Sequence, residues 1–333
     1  MVKLVKLLSL TLSLLLLAAC TTPTPPPPAE AQEPWETAEI FLSFSTAQVL
    51  SEERLTSLQT SLLEATDGRI YCNAYPDGTM GDDAELLQAV HSGALSVVQA
   101  STSVQVTQVP ELALLDIPYL FSDPDTCTEL LNGPLLDFFQ PYYNENGLQL
   151  LGWNCPNFRQ LTSSVSVTSP SDLQRLNIRI LDNKYHRIYW SELGAEPQNL
   201  DFSTLFYAIQ QGVVNAQENT AGTAISMRFY QMHDYLTMIN YLPFINAVVM
   251  NKDCYDALSP EDQQTVTQIF AGHANTGGNT LTTDILSSYF TNVSTPSGQL
   301  KKALEQGSNA VREALAEDLG QDTLDRFYAV LEN

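Results

Sequence analysis

Residues 205–220, LFYAIQQGVVNAQENT, read as a helix with apolar spacing, a stop, a short strand and then a polar strand end. Gly212 suits the left-handed position that closes a helix. The apolar spacing then leaves Gln217, Glu218 and Asn219 at the mouth of the strand. A strand ending in three consecutive polar residues opens onto something other than core.

The pattern recurs upstream. Residues 86–101, LLQAVHSGALSVVQAS, share Leu-x-x-Ala-(Val/Ile)-x-x-Gly followed by a short apolar strand, with Gly93 in the place of Gly212. Either common helix–strand packing or two similar lobes accounts for this echo. On the second reading each lobe sends a strand end toward a shared cleft. Open α/β sheets bind ligands at the carboxyl ends of their strands, so Gln217 to Asn219 and Ser101 to Ser103 are expected to face it. Strand signals at IFLSF (40–44), RIYCNAY (69–75), LQLLGWN (148–154) and NAVVMN (246–251) alternate with helical ERLTSLQTSLLEA (53–65) and EDQQTVTQIFAG (261–272). Ser or Thr with Pro precedes helices at 168–173 and 258–263. The alternation argues for an α/β protein.

Residues 1–20 stand apart. Lys3 and Lys6 precede an apolar run too short for a comfortable membrane span, and LAAC places Cys20 where a signal peptide ends. This resembles a bacterial lipobox, which implies cleavage before Cys20 and lipid attachment to its thiol. An ordinary signal peptide that contains a cysteine is the competing reading. The proline-rich linker, 21–35, cannot build a core and favours an extended stalk. No later apolar run is long enough to span a membrane, so the lipid anchor is the only expected membrane contact. The formal net charge is −23, and −25 without Lys3 and Lys6, which argues against a nucleic-acid partner. Cys72, Cys127, Cys155 and Cys254 have no Cys-x-x-Cys spacing, so neither a zinc ribbon nor a thioredoxin-type site is indicated. They admit two disulfides in any of three connectivities, or none.

Arg159, Arg175, Arg179, Lys184 and Arg187 concentrate the scarce positive charge within 159–187. A chain this acidic repels anions, so a carboxylate ligand needs a local donor of fixed geometry. The planar fork of arginine suits that task. Arg179 lies inside the strand-like NIRIL (177–181), where it is either a carboxylate ligand, an exposed strand residue or half of a structural ion pair; Arg159 in FRQLTSS (158–164) is equally ambiguous. Arg175 and Lys184 read as solvated surface charges.

Taken together, DGRIYCNAYPDGTMGDDAELLQAVHSGALSVV, VPELALLDIPYLFSD, LQRLNIRIL, DFSTLFYAIQQGVVNAQEN and ALSPEDQQTV resemble the extracytoplasmic solute-binding proteins of TRAP (tripartite ATP-independent periplasmic) transporters, over about residues 36 to 290. The resemblance implies a two-lobed, periplasmic-binding-protein-like α/β fold that closes around a small organic acid. It also implies crossing strands and a long helix over both lobes, within 259–290. Lobe I is expected at 36–152 and 245–285, and lobe II at 153–244 and 286–333. By the same resemblance Arg179 clamps the ligand carboxylate, with Arg159 and Asn219 in support and Phe202 packed beside the bound molecule. Asp83 and Ser101 take first-lobe positions that contact hydroxyl groups in sugar-acid binders. NAQENT departs from the family pattern at Asn215, Ala216 and Thr220, which puts the backbone around Asn219 in doubt.

The expected ligands are a uronate or other sugar acid, a C4-dicarboxylate or a 2-oxo acid, and the expected partners are the TRAP membrane subunits. No cofactor, metal or nucleotide is implied. Gly-x-Ser-x-Gly and His-Glu-x-x-His are absent, and His91, His186, His233 and His273 have no ligand spacing, so an enzyme acting on organic acids is the weaker alternative. A lipoprotein reporting to a sensor kinase is another.

Overall fold

Ile40–Thr46 (β1) begins the first of two sheets in this computed structural model, which describes residues 34–274 and 281–332. The leader, Cys20 and most of the proline-rich linker lie outside the described residues. Pro34–Thr37 forms a short 3-10 turn in one compact unit, and Ala38 onward makes up the other.

From β1 the chain runs through α1 (Glu52–Ala65), β2 (Ile70–Tyr75) and α2 (Asp83–His91) to β3 (Val97–Ser101). The start of α2 is set by a capping box. Asp82 accepts from the backbone N–H groups of Ala84 and Glu85, and Glu85 reaches back to that of Asp82. Helices α3 (Pro124–Leu131) and α4 (Pro134–Glu145) lead to β4 (Leu148–Asn154), and then to β5 (Arg159–Ser163) of the second sheet. There the chain forms β6 (Asn177–Ile180), α5 (Lys184–Glu192), β7 (Glu196–Asn199), α6 (Phe202–Gln210), β8 (Ala216–Thr220) and β9 (Tyr235–Thr237). It returns to the first sheet as β10 (Asn246–Asn251), followed by α7 (Pro260–Ala274), α8 (Thr283–Ser287) and β11 (Asn292–Ser294). Helices α9 (Gly298–Gln306), α10 (Ser308–Leu319) and α11 (Gln321–Leu331) end the described chain.

The strand orders are β2-β1-β3-β10-β4 and β11-β9-β5-β8-β6-β7. They reveal a repeat. The unit β1-α1-β2-α2-β3 recurs as β6-α5-β7-α6-β8, with its first strand between the other two and its third strand flanked by an antiparallel neighbour. The echo in the sequence is therefore two similar lobes, not chance helix packing. Both stops are glycines in the left-handed region, Gly93 at φ 76° and Gly212 at φ 69°. At the second, Val213 N–H donates to Ala208 O at 2.9 Å and Gly212 N–H to Ile209 O at 3.0 Å, which terminates α6 in a Schellman motif.

Two segments cross between the sheets side by side. Asn154 pairs with Asn246 at the edge of the first sheet, Phe158 bridges Pro243, and Arg159 N–H donates to Leu242 O at 2.8 Å. Helix α7 lies on β4, β10 and α1. Gly152 allows that approach, because a Cβ there would come within 2.7 Å of the Ala271 Cα. Of the long helix expected within 259–290, the described parts are α7 and α8; residues 275–280 lie outside the described residues.

One large core runs from Val98 and Trp153 of the first sheet through Tyr241 to Leu161 and Ile178 of the second. A second core fills the other face of the first sheet, around Phe44, Leu62 and Phe270. A third lies behind the second sheet, around Leu205, Leu236 and Phe290. Helix α10 packs on α5, and α11 packs on α4.

Candidate binding site

Strand β8 lies between antiparallel β5 and parallel β6, with Asn219 opposite Gln160, Glu218 opposite Leu161, and Gln217 opposite both Thr162 and Arg179. All five residues of β8 are buried. Side chains alternate across a strand, so Glu218 points to one face, and Gln217 and Asn219 to the other. The polar strand end is thus withdrawn from bulk water.

Arg159, 1% exposed, forms an ion pair with Glu218 through Nε, while Nη2 donates to Glu218 Oε1 at 3.1 Å and to Glu218 O at 3.0 Å. Its guanidinium lies 5.3 Å from the centroid of Phe244 on the crossing segment. Glu218 also lies 3.7 Å from His186 Nδ1, and His186 Nε2 meets Asp116 Oδ1 at 3.3 Å. Asp116 is anchored in turn by Ser103 Oγ at 2.6 Å and by Asn183 Nδ2 at 2.8 Å, and Asn183 Nδ2 also donates to Ser103 O at 2.7 Å. Burial alone would raise the Glu218 carboxyl, but Arg159 and His186 hold it down at about 2. Burial alone would lower His186, but Asp116 and Glu218 on its two sides hold it up at about 9. The result is a buried chain of alternating charge, Asp116–His186–Glu218–Arg159. It joins the segment after β3 to the strands of the second sheet.

Arg179 is equally buried, at 1% exposure, but differently partnered. Its Nε donates to Leu200 O at 2.9 Å and its Cζ lies 5.9 Å from the ring centroid of Phe202, the first residue of α6. Its Nη1 is buried with no hydrogen-bond partner among the described residues. Burial pulls the guanidinium down to about 10, the nearby Arg159 adds to this, and Glu218, Asp201 and Asp83 oppose it.

Asp83 therefore faces Arg179 electrostatically from the first lobe. It is the first residue of α2, and its Oδ2 accepts from Ser101 N–H at 3.0 Å, while Oδ1 is buried with no partner among the described residues. Burial foremost, with Asp82 beside it, pushes its carboxyl up to about 6, against Ser101 N–H and Arg179. Ser101 thus meets Asp83 through its backbone. Asn219 Oδ1 accepts from Thr220 N–H at 2.9 Å, so the departure from the family pattern leaves the amide tied to the strand end.

Amides pair with one another at both sheets. Gln48 Nε2 donates to Asn246 Oδ1 at 2.5 Å, and Asn246 Nδ2 donates to Asn154 Oδ1 at 3.2 Å, all at strand ends of the first sheet. Gln160 Nε2 donates to Asn240 Oδ1 at 2.5 Å in the second. Among the described residues no group of His, Cys, Asp and Glu is arranged to hold a metal ion.

On the second sheet Arg179 of β6 meets Phe202, Arg159 of β5 pairs with Glu218, and Asn219 lies on β8 between those two strands; Asp83, held by Ser101 N–H, acts on Arg179 electrostatically from the first. Arg159 forms the structural ion pair that was one of the readings left open by the sequence, with Glu218 as its partner. Arg175 is solvated, as is Lys184, which pairs with Asp318. Sequence reasoning placed Glu218 among the residues expected at the cleft but gave it no role. It missed His186, Asp116 and Asn183, which carry no local signal.

The profile of the bacterial extracellular solute-binding proteins, family 7, matches residues 44–321. An ectoine/5-hydroxyectoine-binding periplasmic protein of Ruegeria pomeroyi is 30% identical over 65% of this chain and 66% of its own length. A C4-dicarboxylate-binding protein of Bacillus subtilis is 29% identical over 62% of this chain and 59% of its own length. The match thus spans somewhat less than two thirds of these curated relatives. Among solved structures, a sugar-acid-binding protein of Advenella mimigardefordensis in complex with galactonate superposes with a TM-score of 0.79 at 22% identity, covering 88% of this chain and 96% of the other. That likeness shows the two-lobed fold.

Proposed function

Because this chain belongs to family 7 of the bacterial extracellular solute-binding proteins, the receptors of TRAP transporters, we propose that it captures a small organic acid outside the cytoplasm and delivers it to TRAP membrane subunits. The observation that carries this reading is the Arg179 guanidinium: buried, oriented through Nε on Leu200 O, and left with Nη1 unpartnered. A buried donor without a partner costs about 1–3 kcal/mol, and a ligand carboxylate removes that cost. Arg159 and Asn219 support the grip, and Phe202 flanks it. In this reading 36–152 with 245–285 form one lobe and 153–244 with 286–333 the other. The ligand touches both lobes only when they are closed, so binding favours closure.

The unpartnered Asp83 Oδ1 adds a requirement. The ligand carries a hydrogen-bond donor at the end away from its carboxylate. A hydroxylated sugar acid meets this, and so does a zwitterion such as the ectoine of the Ruegeria relative. Succinate lacks such a donor when ionised. The amides at the strand ends suit hydroxyl groups on the body of the ligand. The reaction is binding alone, with no catalytic step, and Cys20 carries the lipid anchor.

A thermal-shift screen of galactonate, glucuronate, succinate, a 2-oxo acid and ectoine tests the proposal, because a ligand that binds only the folded state raises the melting temperature. A rise of several degrees with a hydroxy acid or zwitterion, confirmed by calorimetric titration, is expected. No shift with any acid, or an equal shift with an uncharged sugar, would sink it.

A further inference from the structure

The repeat in the strand orders gives each lobe a polar cluster at the same place. β3 pairs with β10 through Ser101 and Asn246, and β8 pairs with β5 through Thr220 and Arg159. Asn246, the first residue of β10, therefore stands in the first lobe where Arg159, the first of β5, stands in the second. Gln99 lies two residues before Ser101, as Glu218 lies two before Thr220. Gln48 follows β1, the first strand of its unit, and His186 follows β6, the first strand of the other. The second lobe fills these places with charges, and the first fills them with amides.

The amides form a chain. Asn246 Nδ2 donates to Asn154 Oδ1 at 3.2 Å, Gln48 Nε2 to Asn246 Oδ1 at 2.5 Å, and Gln99 Nε2 to Gln48 Oε1 at 3.4 Å. Gln99 and Asn246 are buried, at 1% and 0% exposure, and Gln48 is half-buried. Gln99 Oε1 is buried with no hydrogen-bond partner among the described residues. The backbone that carries Gln48 is held on several sides. Gln48 N–H donates to Thr46 Oγ1 at 3.2 Å, and Asp77 N–H to Gln48 O at 3.1 Å. Gly78 N–H donates to Thr46 O at 3.1 Å, and Leu50 N–H to Asp77 Oδ1 at 3.1 Å. The loop after β1 is thus stitched to the loop after β2, at the strand ends where open α/β sheets bind ligands.

We propose that Gln48 is a specificity-determining residue of the first lobe: it reads a hydroxyl group on the carbon chain of the bound acid, and Gln99, Asn246 and Asn154 hold its amide in place. A primary amide has two N–H donors and an oxygen with two lone pairs. Gln48 commits one N–H to Asn246 and one lone pair to Gln99, and it keeps one of each for the ligand. A hydroxyl both donates and accepts, so it satisfies that pair. An ionised carboxylate only accepts, and a methylene does neither. The open Gln99 Oε1 likewise calls for a donor. One lobe therefore grips the acid group through Arg179, and the other reads the hydroxylated chain. A site built to bond a hydroxyl rejects the analogue that lacks it, because its own polar atoms are left unpaired.

This inference rests on the organic-acid reading, and the experiment separates the two. The native protein and Gln48→Met, a side chain of similar length without the amide, are titrated calorimetrically with galactonate and with hexanoate, the six-carbon acid without hydroxyl groups. Galactonate should bind the native protein at least about 10-fold more tightly than hexanoate. In the variant galactonate should lose about 10-fold while hexanoate changes by less than about 3-fold, so the preference collapses. Gln48→Asn, which keeps an amide but draws it back from Asn246, should fall between the two, and it keeps the test open should Gln48→Met fail to fold. Equal losses for both acids would reveal a merely structural amide and overturn the proposal, as would hexanoate binding the native protein as tightly as galactonate. Binding of neither, with ectoine or a 2-oxo acid bound instead, would overturn it and leave the receptor reading standing. Binding of no acid at all would overturn both.

Discussion

Arg179→Lys keeps the charge and removes the fork. In the native site Nε is engaged with Leu200 O at 2.9 Å, and the other guanidinium nitrogens remain for a carboxylate. Lysine can anchor on Leu200 or reach the ligand, but it cannot do both with two parallel bonds. Loss of one charge-assisted bond costs about 1.5–3 kcal/mol, or about 10- to 150-fold in affinity. A second effect distinguishes this role from simple packing. The same burial that pulls Arg179 down to about 10 acts on a lysine that starts roughly two units lower, so the ammonium approaches neutrality near physiological pH. Calorimetric titration of the acid identified by the screen, repeated from pH 7 to 9, should show a loss that deepens with pH in the variant and not in the native protein. A thermal melt without ligand separates this from misfolding. Affinity within about 3-fold of the native protein across that range, less than 1 kcal/mol, would refute the assignment.

Glu218→Gln breaks the Arg159 pair and leaves two buried cations short of a partner, so thermal denaturation should show a loss of about 3–5 kcal/mol. Because His186 is held up at about 9, the folded state binds more protons than the unfolded chain between about pH 6.5 and 9. This stabilisation is full below that window and fades as pH rises through it; the melting temperature should fall by the equivalent of up to about 3 kcal/mol, and His186→Gln should abolish this slope. Asp83, pushed up to about 6, accepts from the ligand's hydrogen-bond donor through Oδ1, which favours the ionised carboxylate, so binding releases a proton. Affinity should decrease as pH falls from about 7 to 5, and Asp83→Asn, which can still accept from Ser101 N–H, should flatten that profile in titrations.

Local chemistry made much of the fold legible. β4 and β10 occupy the segments expected from their apolar runs, and α2 ends where Gly93 indicates. Period and capping act over a few residues, so a linear reading recovers them. The site divides differently. Arg179 could be named as a candidate because it is a charge inside an apolar run, and its carboxylate-binding role, like that of Asn219, came from the family resemblance. The role of Arg159 was not legible, since whether it grips a ligand or a neighbour depends on Glu218, 59 residues away.

The sequence by itself determined an acidic α/β chain with two matched helix–glycine–strand units and an arginine set in a strand, because propensity, capping and charge are properties of neighbours. Only the tertiary structure decided that Asp116, His186, Glu218 and Arg159 form one buried chain of alternating charge, that Asp83 confronts Arg179, and which cysteines share a core. Those outcomes depend on which distant groups share the same water-free space. There a charge must find its opposite or neutralise, and linear order carries no record of the encounter.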